Sequence, residues 1–254
     1  MRKEVKKANR IIIKVGTSTL ISPNGNINLA AIDQLVFVSS GAVGVGMHKT
    51  SQTKRPTTIP EQQAIAAIGQ AELMNIYSQR FNNYHQQTAQ ILVTRDVIDF
   101  PQSRTNVINT LEQLLSMGTI PIVNENDTVA IDELDHLTKF GDNDQLSAIV
   151  TNLIAADLLI ILSDVDGFYS ANPLIHPKAK MYHTITTIDE KLMTQAGGAG
   201  SIFGTGGMYS KLQAALRIFE DHHMMILANG KKPSVIFDIL EGKEIGTLFK
   251  SNDK

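Results

Sequence analysis

The feature that most limits the possible folds of this sequence is a regular alternation of two patterns. Six short apolar runs are separated by stretches with helical spacing, and most runs end at Gly, Ser, Asn or Asp; they are RIIIKVG, VFVSSG, AQILV, TIPIVN, DLLIILSD and HMMILANG. Nearly continuous apolar strands of this kind belong to parallel sheets that are covered on both faces by helices. The alternation therefore predicts an α/β fold with a mainly parallel sheet, and the absence of an internal repeat or a low-complexity linker favours a single domain.

Composition narrows the class of protein. The chain has 254 residues, 43% of them hydrophobic, which is enough for one large core. Its formal net charge of −2 gives no basic excess for nucleic acid or an anionic membrane, and the absence of cysteine excludes disulfides, thiol catalysis and Cys-ligated zinc. The most apolar window, 146–162, contains Asn152 and Asp157 and does not look like a membrane span. We expect a cytoplasmic protein with neither a nucleic-acid nor a membrane partner.

Two capping boxes are predicted from spacing alone. Thr58 and Glu61 precede one helical stretch, and Thr187 and Glu190 precede another.

One segment of the sequence conflicts with the predicted parallel sheet. Between the first two apolar runs only NLAAIDQL is available for a crossover helix, and eight helical residues span only ~12 Å. The abrupt join at Leu35–Val36 therefore indicates that residues are missing there.

Ligands of such sheets bind beyond the carboxyl ends of the strands, and this chain places polar residues there. Lys14 stands at the end of the first run, followed by Gly16 and two hydroxyl residues. A lysine beside backbone N–H groups suits a phosphate site, although a lysine at a strand edge also extends into solvent for no functional reason.

Two glycine-rich segments could also hold an anion. SSGAVGVG, 39–46, runs from a strand into a helix but lacks the dinucleotide spacing, and a tight packing turn explains it equally well. AGGAGSIFGTGGMYSK, 196–211, has six glycines and ends in Lys211 at a helix start. This segment predicts a mobile loop that covers a bound polyphosphate. The alternative is an ordinary flexible loop on the surface. No Walker A sequence is present, which argues against a P-loop NTPase.

Acidic residues cluster between positions 125 and 144, and most such runs are solvated loops. Two members differ from the rest. Asp127 follows a strand end and Asp144 opens an apolar helix, so these two could orient a substrate ammonium and the phosphate-site lysines. His222 and His223 fall at a helix end, where a cation complements the dipole, and they lack further ligands for a metal.

Taken together, these segments resemble the amino-acid kinase superfamily, and within it the glutamate 5-kinase family. The resemblance covers essentially the whole chain. The segments that carry it are IIIKVGTSTL, VSSGAVGVGMHK, RPTTIPEQQAIAAIGQAELM, PIVNENDTVAIDEL, KFGDNDQLSAIV, AGGAGSIFGTGGMYSKLQAA and ILEGKEIGTLF. NENDTVA, FGDNDQLSA and GTGGMYSK in combination are the most specific part.

The resemblance implies a three-layer α/β/α sandwich and transfer of the ATP γ-phosphoryl group to the side-chain carboxylate of L-glutamate, the first step of proline synthesis. Mg²⁺ would arrive with ATP, and no protein ligand is assigned to it. The implied catalytic residues are Lys14, Lys211 and Asp144. The implied glutamate-binding residues are Ser40, Asp127 and Asn143, with Asn124, Lys139 and Asp142 as neighbours. The implied ATP-binding residues are Lys14, Gly16, Ser163, Asp164, Thr205, Gly206, Gly207, Met208, Tyr209, Ser210 and Lys211.

By the same resemblance, residues 1–254 form one kinase domain. Its N-terminal part mainly binds glutamate and its C-terminal part mainly binds ATP, and the C-terminal PUA domain of many relatives is absent. The family implies a homo-oligomer, a dimer or tetramer, and proline as a feedback inhibitor. Two alternatives stay open: a kinase for another small acid, N-acetylglutamate or carbamate, and a nucleotide-binding regulatory subunit without catalysis.

Overall fold

The structure is a computed structural model that describes residues 1–15, 34–129, 143–173, 175–196, 207–232 and 234–252. The chain divides into two compact units. Met1–Ile27 and Gly141–Lys254 form the first, which we call the terminal unit. Asn28–Phe140 forms the second, the internal unit. Lys139 and Asp142, Gly16, Thr205 and Gly206 fall outside the described residues.

The strands of the terminal unit lie in the order β1-β5-β7-β8-β6. Their bounds are β1 Arg10–Val15, β5 Leu158–Ser163, β6 Thr184–Ile185, β7 Met224–Asn229 and β8 Thr247–Lys250. The pairs β1–β5, β5–β7 and β6–β8 are parallel, and β7–β8 is antiparallel. Residues 158–162 of β5 are all buried, as expected for a central strand covered on both faces.

The strands of the internal unit lie in the order β3-β4-β2 and are all parallel. Their bounds are β2 Gln34–Ser39, β3 Thr88–Val93 and β4 Ile120–Glu125. All six residues of β4 are buried. The predicted α/β class with mainly parallel strands is confirmed, and each of the six apolar runs overlaps one of the strands β1 to β5 and β7.

Helices connect these strands. In the internal unit they are α1 Ala42–Lys49, α2 Ile59–Asn82, α3 Arg95–Asp99 and α4 Pro101–Ser116. In the terminal unit they are α5 Asn143–Leu153, α6 Glu190–Gln195, α7 Met208–Glu220 and α8 Val235–Leu240. Among the described helices, none is long and apolar enough to cross a membrane.

Helices α1 and α2 approach each other at two glycines. A Cβ on Gly69 would lie 1.8 Å from the carbonyl oxygen of Ala42, and one on Gly46 would lie 2.0 Å from that of Ile65. Both distances are far inside van der Waals contact, so only glycine fits either position. Gly46 and Gly69 therefore serve the packing of α1 against α2.

One of the two predicted capping boxes is present. The Thr58–Glu61 box begins α2, and both of its reciprocal bonds form. The Thr187 prediction is wrong, since α6 is capped by Asp189, whose Oδ1 accepts a hydrogen bond from the Leu192 amide at 2.8 Å. Asp is as good an N-cap as Thr, and its position two residues later fixes the helix start.

The first residues of the chain bind the last strand region. The Arg2 side chain is buried and donates hydrogen bonds to the carbonyls of Ile245, His183 and Gly246 at 2.6, 2.7 and 2.9 Å. Burial lowers the pKa of this guanidinium, against the opposing effect of Glu244. The Met1 ammonium contacts Glu244 at 2.7 Å, so the two ends of the chain are joined within the terminal unit.

Candidate active site

A buried carboxylate between two lysines is the main charged feature of the terminal unit. Asp144 is the second residue of α5 and has no exposed side-chain surface. Its Oδ1 lies 2.7 Å from the Nζ of Lys14, and its Oδ2 accepts a hydrogen bond from the Nζ of Lys211 at 3.0 Å. The two lysine side chains are 13% and 7% exposed. We call these three residues the lysine–aspartate cluster.

The electrostatics of the cluster follow from its charges. Burial alone would raise the pKa of the Asp144 carboxyl, but the ammonium groups of Lys14 and Lys211 outweigh it and hold that pKa below its ordinary value. The carboxylate is therefore ionised at neutral pH. The two ammonium groups and the one carboxylate sum to one net positive charge. The lysine–aspartate cluster can therefore bind an anion.

Three elements bring the cluster together. Lys14 is the fifth residue of β1, which pairs in parallel with β5 so that Lys14 is opposite Ile161. Asp144 lies in the first turn of α5, where a negative charge also complements the helix dipole. Lys211 is the fourth residue of α7, one turn from its N-terminus.

The N-terminus of α7 adds backbone donors next to the cluster. Gly207 is its N-cap residue in an extended conformation, and as a glycine it has no side chain with which to cap the helix. Met208, Tyr209 and Ser210 form the first turn and are half-buried. The first N–H groups of a 13-residue helix have no partner within the helix and favour an anion, and Lys211 supplies a cation one turn later.

The carboxyl ends of β5 and β7 carry further polar groups. Ser163 ends β5, and its hydroxyl donates to Asp164 Oδ1 at 3.0 Å. Its carbonyl accepts from the Gly230 amide at 2.7 Å. Asn229, at the end of β7, donates to Asp166 Oδ1 at 2.7 Å. Asp166 and Asn229 were not among the predicted site residues. Both nevertheless lie in segments that end predicted strands, Asp166 in SDVDG and Asn229 in ANG.

In the internal unit, polar residues gather at the carboxyl ends of β2 and β4. The parallel register pairs Val38 with Val123, which brings Ser39 and Ser40 to the same edge as Asn124. Ser39 is buried and its Oγ accepts a hydrogen bond from the Tyr77 hydroxyl at 3.0 Å. Ser40 is half-buried and follows the strand, so it is more exposed than Ser39.

Asn124 is 1% exposed and is held from both sides. Its Nδ2 donates to Gln70 Oε1 at 2.8 Å, and its Oδ1 accepts from the Glu125 amide at 2.9 Å. Asp127 lies in the turn after β4 and is half-buried. Gln70 and Tyr77 were not predicted as site residues from the sequence. The signal that could have identified them is their spacing, since Gln70 lies seven positions before Tyr77 and both are on the buried face of α2.

Of the predicted residues in the described ranges, the structure thus brings Lys14, Asp144 and Lys211 into direct contact. Asn143 begins α5 beside Asp144. Ser40, Asn124 and Asp127 lie together at one edge of the internal unit. Ser163 and Asp164 lie at the carboxyl end of β5. Among the described residues, no group of three or more His, Cys, Asp or Glu could hold a metal ion.

Comparison with known proteins gives close matches over nearly the whole chain. The model of the amino acid kinase family matches residues 9–229. A protein of Enterococcus faecalis named glutamate 5-kinase is 64% identical, with 98% of this chain and 97% of that protein covered. A protein of the same name from Listeria monocytogenes is 56% identical, with 99% of this chain and 96% of that protein covered. Another from Lactiplantibacillus plantarum is also 56% identical, with 96% of this chain and 97% of that protein covered. The alignment with the Enterococcus protein spans 263 positions, more than the 254 residues here, so that relative has residues without a counterpart in this chain.

Solved structures give a more distant likeness. Carbamate kinase from Giardia lamblia bound to AMP-PNP has a TM-score of 0.64 at 13% identity, with 97% of this chain and 100% of that chain covered. UMP kinase from Bacillus anthracis has a TM-score of 0.60 at 14% identity, with 97% of each chain covered. At these identities the likeness concerns the fold.

Proposed function

Since the chain belongs to the amino acid kinase family, we propose that its lysine–aspartate cluster transfers the γ-phosphoryl group of ATP to a carboxylate. The acceptor is the side-chain carboxylate of L-glutamate, and the product is L-glutamyl 5-phosphate, the first intermediate of proline synthesis from glutamate. The substrate follows from relatives named glutamate 5-kinase at 56 to 64% identity over almost the full chain.

The single observation that carries the mechanism is the pairing of both lysines with one buried carboxylate. Phosphoryl transfer to a carboxylate brings two anions together, and negative charge spreads over the transferring group in the transition state. Lys14 and Lys211 stabilise that charge, and Asp144 fixes both ammonium groups before the substrates arrive. A carboxylate nucleophile is already ionised, so the reaction needs no general base.

ATP binds to polar residues at the carboxyl end of β5 and to the start of α7. Ser163 and Asp164 and the start of α7 from Gly207 to Lys211 contact the nucleotide, together with Gly16, Thr205 and Gly206. The free N–H groups at the start of α7 suit the β- and γ-phosphates. Mg²⁺ would arrive with ATP and would supply positive charge that offsets the charge of the phosphates, a mode in which few protein ligands are needed.

The residues that we assign to glutamate are Ser40, Asp127 and Asn143. Asn124 is a further candidate whose amide is buried and held by Gln70. Asp142 and Lys139 are also candidates. We assign Asp127 to the α-ammonium of glutamate, because a half-buried carboxylate pairs well with a cation.

That assignment gives a test of substrate class. Asp127→Asn keeps the size of the side chain and removes its charge, so KM for glutamate should rise roughly tenfold or more while KM for ATP stays within about twofold. Steady-state kinetics with each substrate varied would measure both. An unchanged KM for glutamate would favour an acceptor without a free ammonium, such as N-acetylglutamate or carbamate.

The remaining proposals concern the whole protein. We place the enzyme in the cytoplasm, as one kinase domain that assembles into a dimer or tetramer, with proline as a feedback inhibitor. Light scattering after size-exclusion chromatography measures the assembly. Titration of proline into the activity assay measures inhibition, and full activity at saturating proline would exclude it.

The first experiment is ATP- and Mg²⁺-dependent formation of γ-glutamyl hydroxamate. Hydroxylamine traps an acyl phosphate, and N-acetylglutamate, aspartate and carbamate are assayed beside glutamate. Signal with glutamate alone supports both reaction and substrate. Signal with another acid replaces the substrate, and no turnover from protein that still binds ATP would indicate a regulatory nucleotide-binding subunit.

A further inference from the structure

Helices α5 and α7 are joined by two side-chain amides at matched positions. Gln145 Nε2 donates to the carbonyl oxygen of Ser210 at 2.9 Å, and Asn152 Nδ2 donates to that of Arg217 at 2.9 Å. The donors are seven residues apart on α5 and the acceptors are seven residues apart on α7. Seven residues make about two helical turns, so the helices run in the same direction with a fixed register.

The first of these bonds lies beside the lysine–aspartate cluster. Gln145 follows Asp144, and Ser210 precedes Lys211, so the bond connects the backbone of one lysine to the helix that carries the carboxylate. A lysine side chain has many rotamers, and an ion pair at its tip therefore leaves its backbone free to move. The bond to the Ser210 carbonyl removes that freedom.

The first turn of α7 depends on such support. The amide of Lys211 reaches the carbonyl of Gly207 at 3.4 Å, well beyond the ~2.9–3.0 Å of an ordinary amide–carbonyl hydrogen bond. Its N-cap residue is Gly207, which has no side chain to support the turn. The Gln145 bond thus holds a turn whose own closing bond is weak.

We propose that Gln145 is a positioning residue that sets the position of Lys211 for phosphoryl transfer. The proposal rests on the catalytic role of Lys211 given above. Gln145 does not itself touch the substrates. It acts through the backbone of Ser210, and its loss displaces the ammonium group where transition-state charge develops.

Asn152 provides a matched control in the same pair of helices. Its bond has the same chemistry and length but lies two turns from the cluster. Its Oδ1 is buried and accepts no hydrogen bond within the described residues, so an apolar replacement removes an unsatisfied acceptor as well as a donor. A purely structural role for Gln145 would make the two positions equivalent in activity.

The experiment compares Gln145→Met and Asn152→Leu in the hydroxamate assay and in urea denaturation. We expect Gln145→Met to lower kcat roughly three- to tenfold, the equivalent of one hydrogen bond, with KM for glutamate within about twofold. Asn152→Leu should keep kcat within about twofold of the unaltered enzyme. Equal kcat values for Gln145→Met and the unaltered enzyme, or equal losses in the two variants, would overturn the proposal.

Two further variants keep the result interpretable. Gln145→Glu retains the shape of the side chain but loses the donor at neutral pH, so it should lower kcat as well if Gln145→Met fails to fold. Lys211→Met tests the assumption beneath the proposal. If Lys211→Met is inactive and both Gln145 variants are normal, only the positioning role is wrong; if Lys211→Met is active, the assignment of Lys211 is wrong.

Discussion

At the scale of single residues, Asp144 determines what the candidate site can do. A fully buried carboxylate is costly unless it is paired, and here each oxygen has its own ammonium partner. The arrangement also keeps two lysines close together that would otherwise repel each other. The same residue therefore accounts for the stability of the cluster and for its readiness to receive phosphate oxygens.

Replacing Asp144 with asparagine keeps its size and removes its charge. We expect kcat to fall at least about 100-fold, since one lysine loses its acceptor, the other keeps only a neutral one, and the two ammonium groups repel each other without the carboxylate charge between them. Asp189→Asn is the control, because it makes the same change at the start of α6, where asparagine caps as well as aspartate. Near-normal kcat in Asp144→Asn would exclude the proposed role.

The depressed pKa of Asp144 also predicts how stability depends on pH. A carboxyl with a folded-state pKa below its ordinary 3.8 stabilises the fold fully above that value, and the contribution is lost as pH falls through the folded-state pKa. Urea midpoints of the unaltered protein and Asp144→Asn should therefore differ by a constant amount from about pH 7 to pH 4 and converge only below. If the two urea midpoints converge near pH 6 instead, burial outweighs the lysines and the pKa of Asp144 is raised.

At the scale of elements, the sequence predicts strands and the first turn of α2 well. Strands β1 to β5 and β7 are evident because a buried parallel strand is apolar along its whole length. Strands β6 and β8 were missed, since two and four residues give too little pattern. Sequence patterns singled out the three residues of the cluster as candidates, and the resemblance implied their catalytic roles. They come from three elements and are brought together only by the tertiary fold.

Contacts between elements explain what sequence reasoning could not reach. Gln145 lies 65 residues from Ser210, and Gln70 lies 54 residues from Asn124. A polar residue on a helix is usually a solvated one. The position of Gln70 on the buried face of α2 is a weak signal that it is different, but only the tertiary packing identifies the partner of either glutamine.

The close approach of α1 and α2 gives a prediction that runs against helix propensity. Alanine is better than glycine in a helix by about 1 kcal/mol, yet Gly69→Ala should lower the free energy of unfolding by about 2–3 kcal/mol. Its Cβ would lie 1.8 Å from the Ala42 carbonyl oxygen and 2.5 Å from the Gly46 nitrogen. Urea denaturation measures the change.

The control for this substitution is Ala64→Gly on the exposed face of the same helix. It should lower the free energy of unfolding by about 1 kcal/mol through propensity alone. If Gly69→Ala is as stable as the unaltered protein, the helices can separate without cost, and the glycine is not required by packing.

At the scale of the whole molecule, the terminal unit is built from both ends of the chain, whereas the internal unit is contiguous. Arg2 is the main link, because its buried guanidinium satisfies three backbone carbonyls. The contacts of Met1 with Glu244 and of Lys250 with Glu4 add two exposed or half-exposed ion pairs. Such pairs contribute little, so the arginine carries the connection.

Arg2→Met keeps a long side chain and removes all three donors. We expect the free energy of unfolding to fall by about 2–4 kcal/mol, because buried carbonyls lose their partners. The neighbouring Lys3→Met changes an exposed side chain and should stay within about 0.5 kcal/mol. Equal urea midpoints for the two variants would show that water replaces the arginine at no cost.

The position of Arg2 has a consequence during synthesis on the ribosome. The carbonyls that bind it belong to residues made 181 to 244 positions later. At about 5–20 residues per second, the last of them emerge roughly 12 to 50 seconds after the arginine itself. The internal unit can pair its three strands while translation continues, but the terminal unit must wait until these carbonyls have been made. Arg2 is therefore among the last residues to reach its native contacts, although it is made before almost all of them.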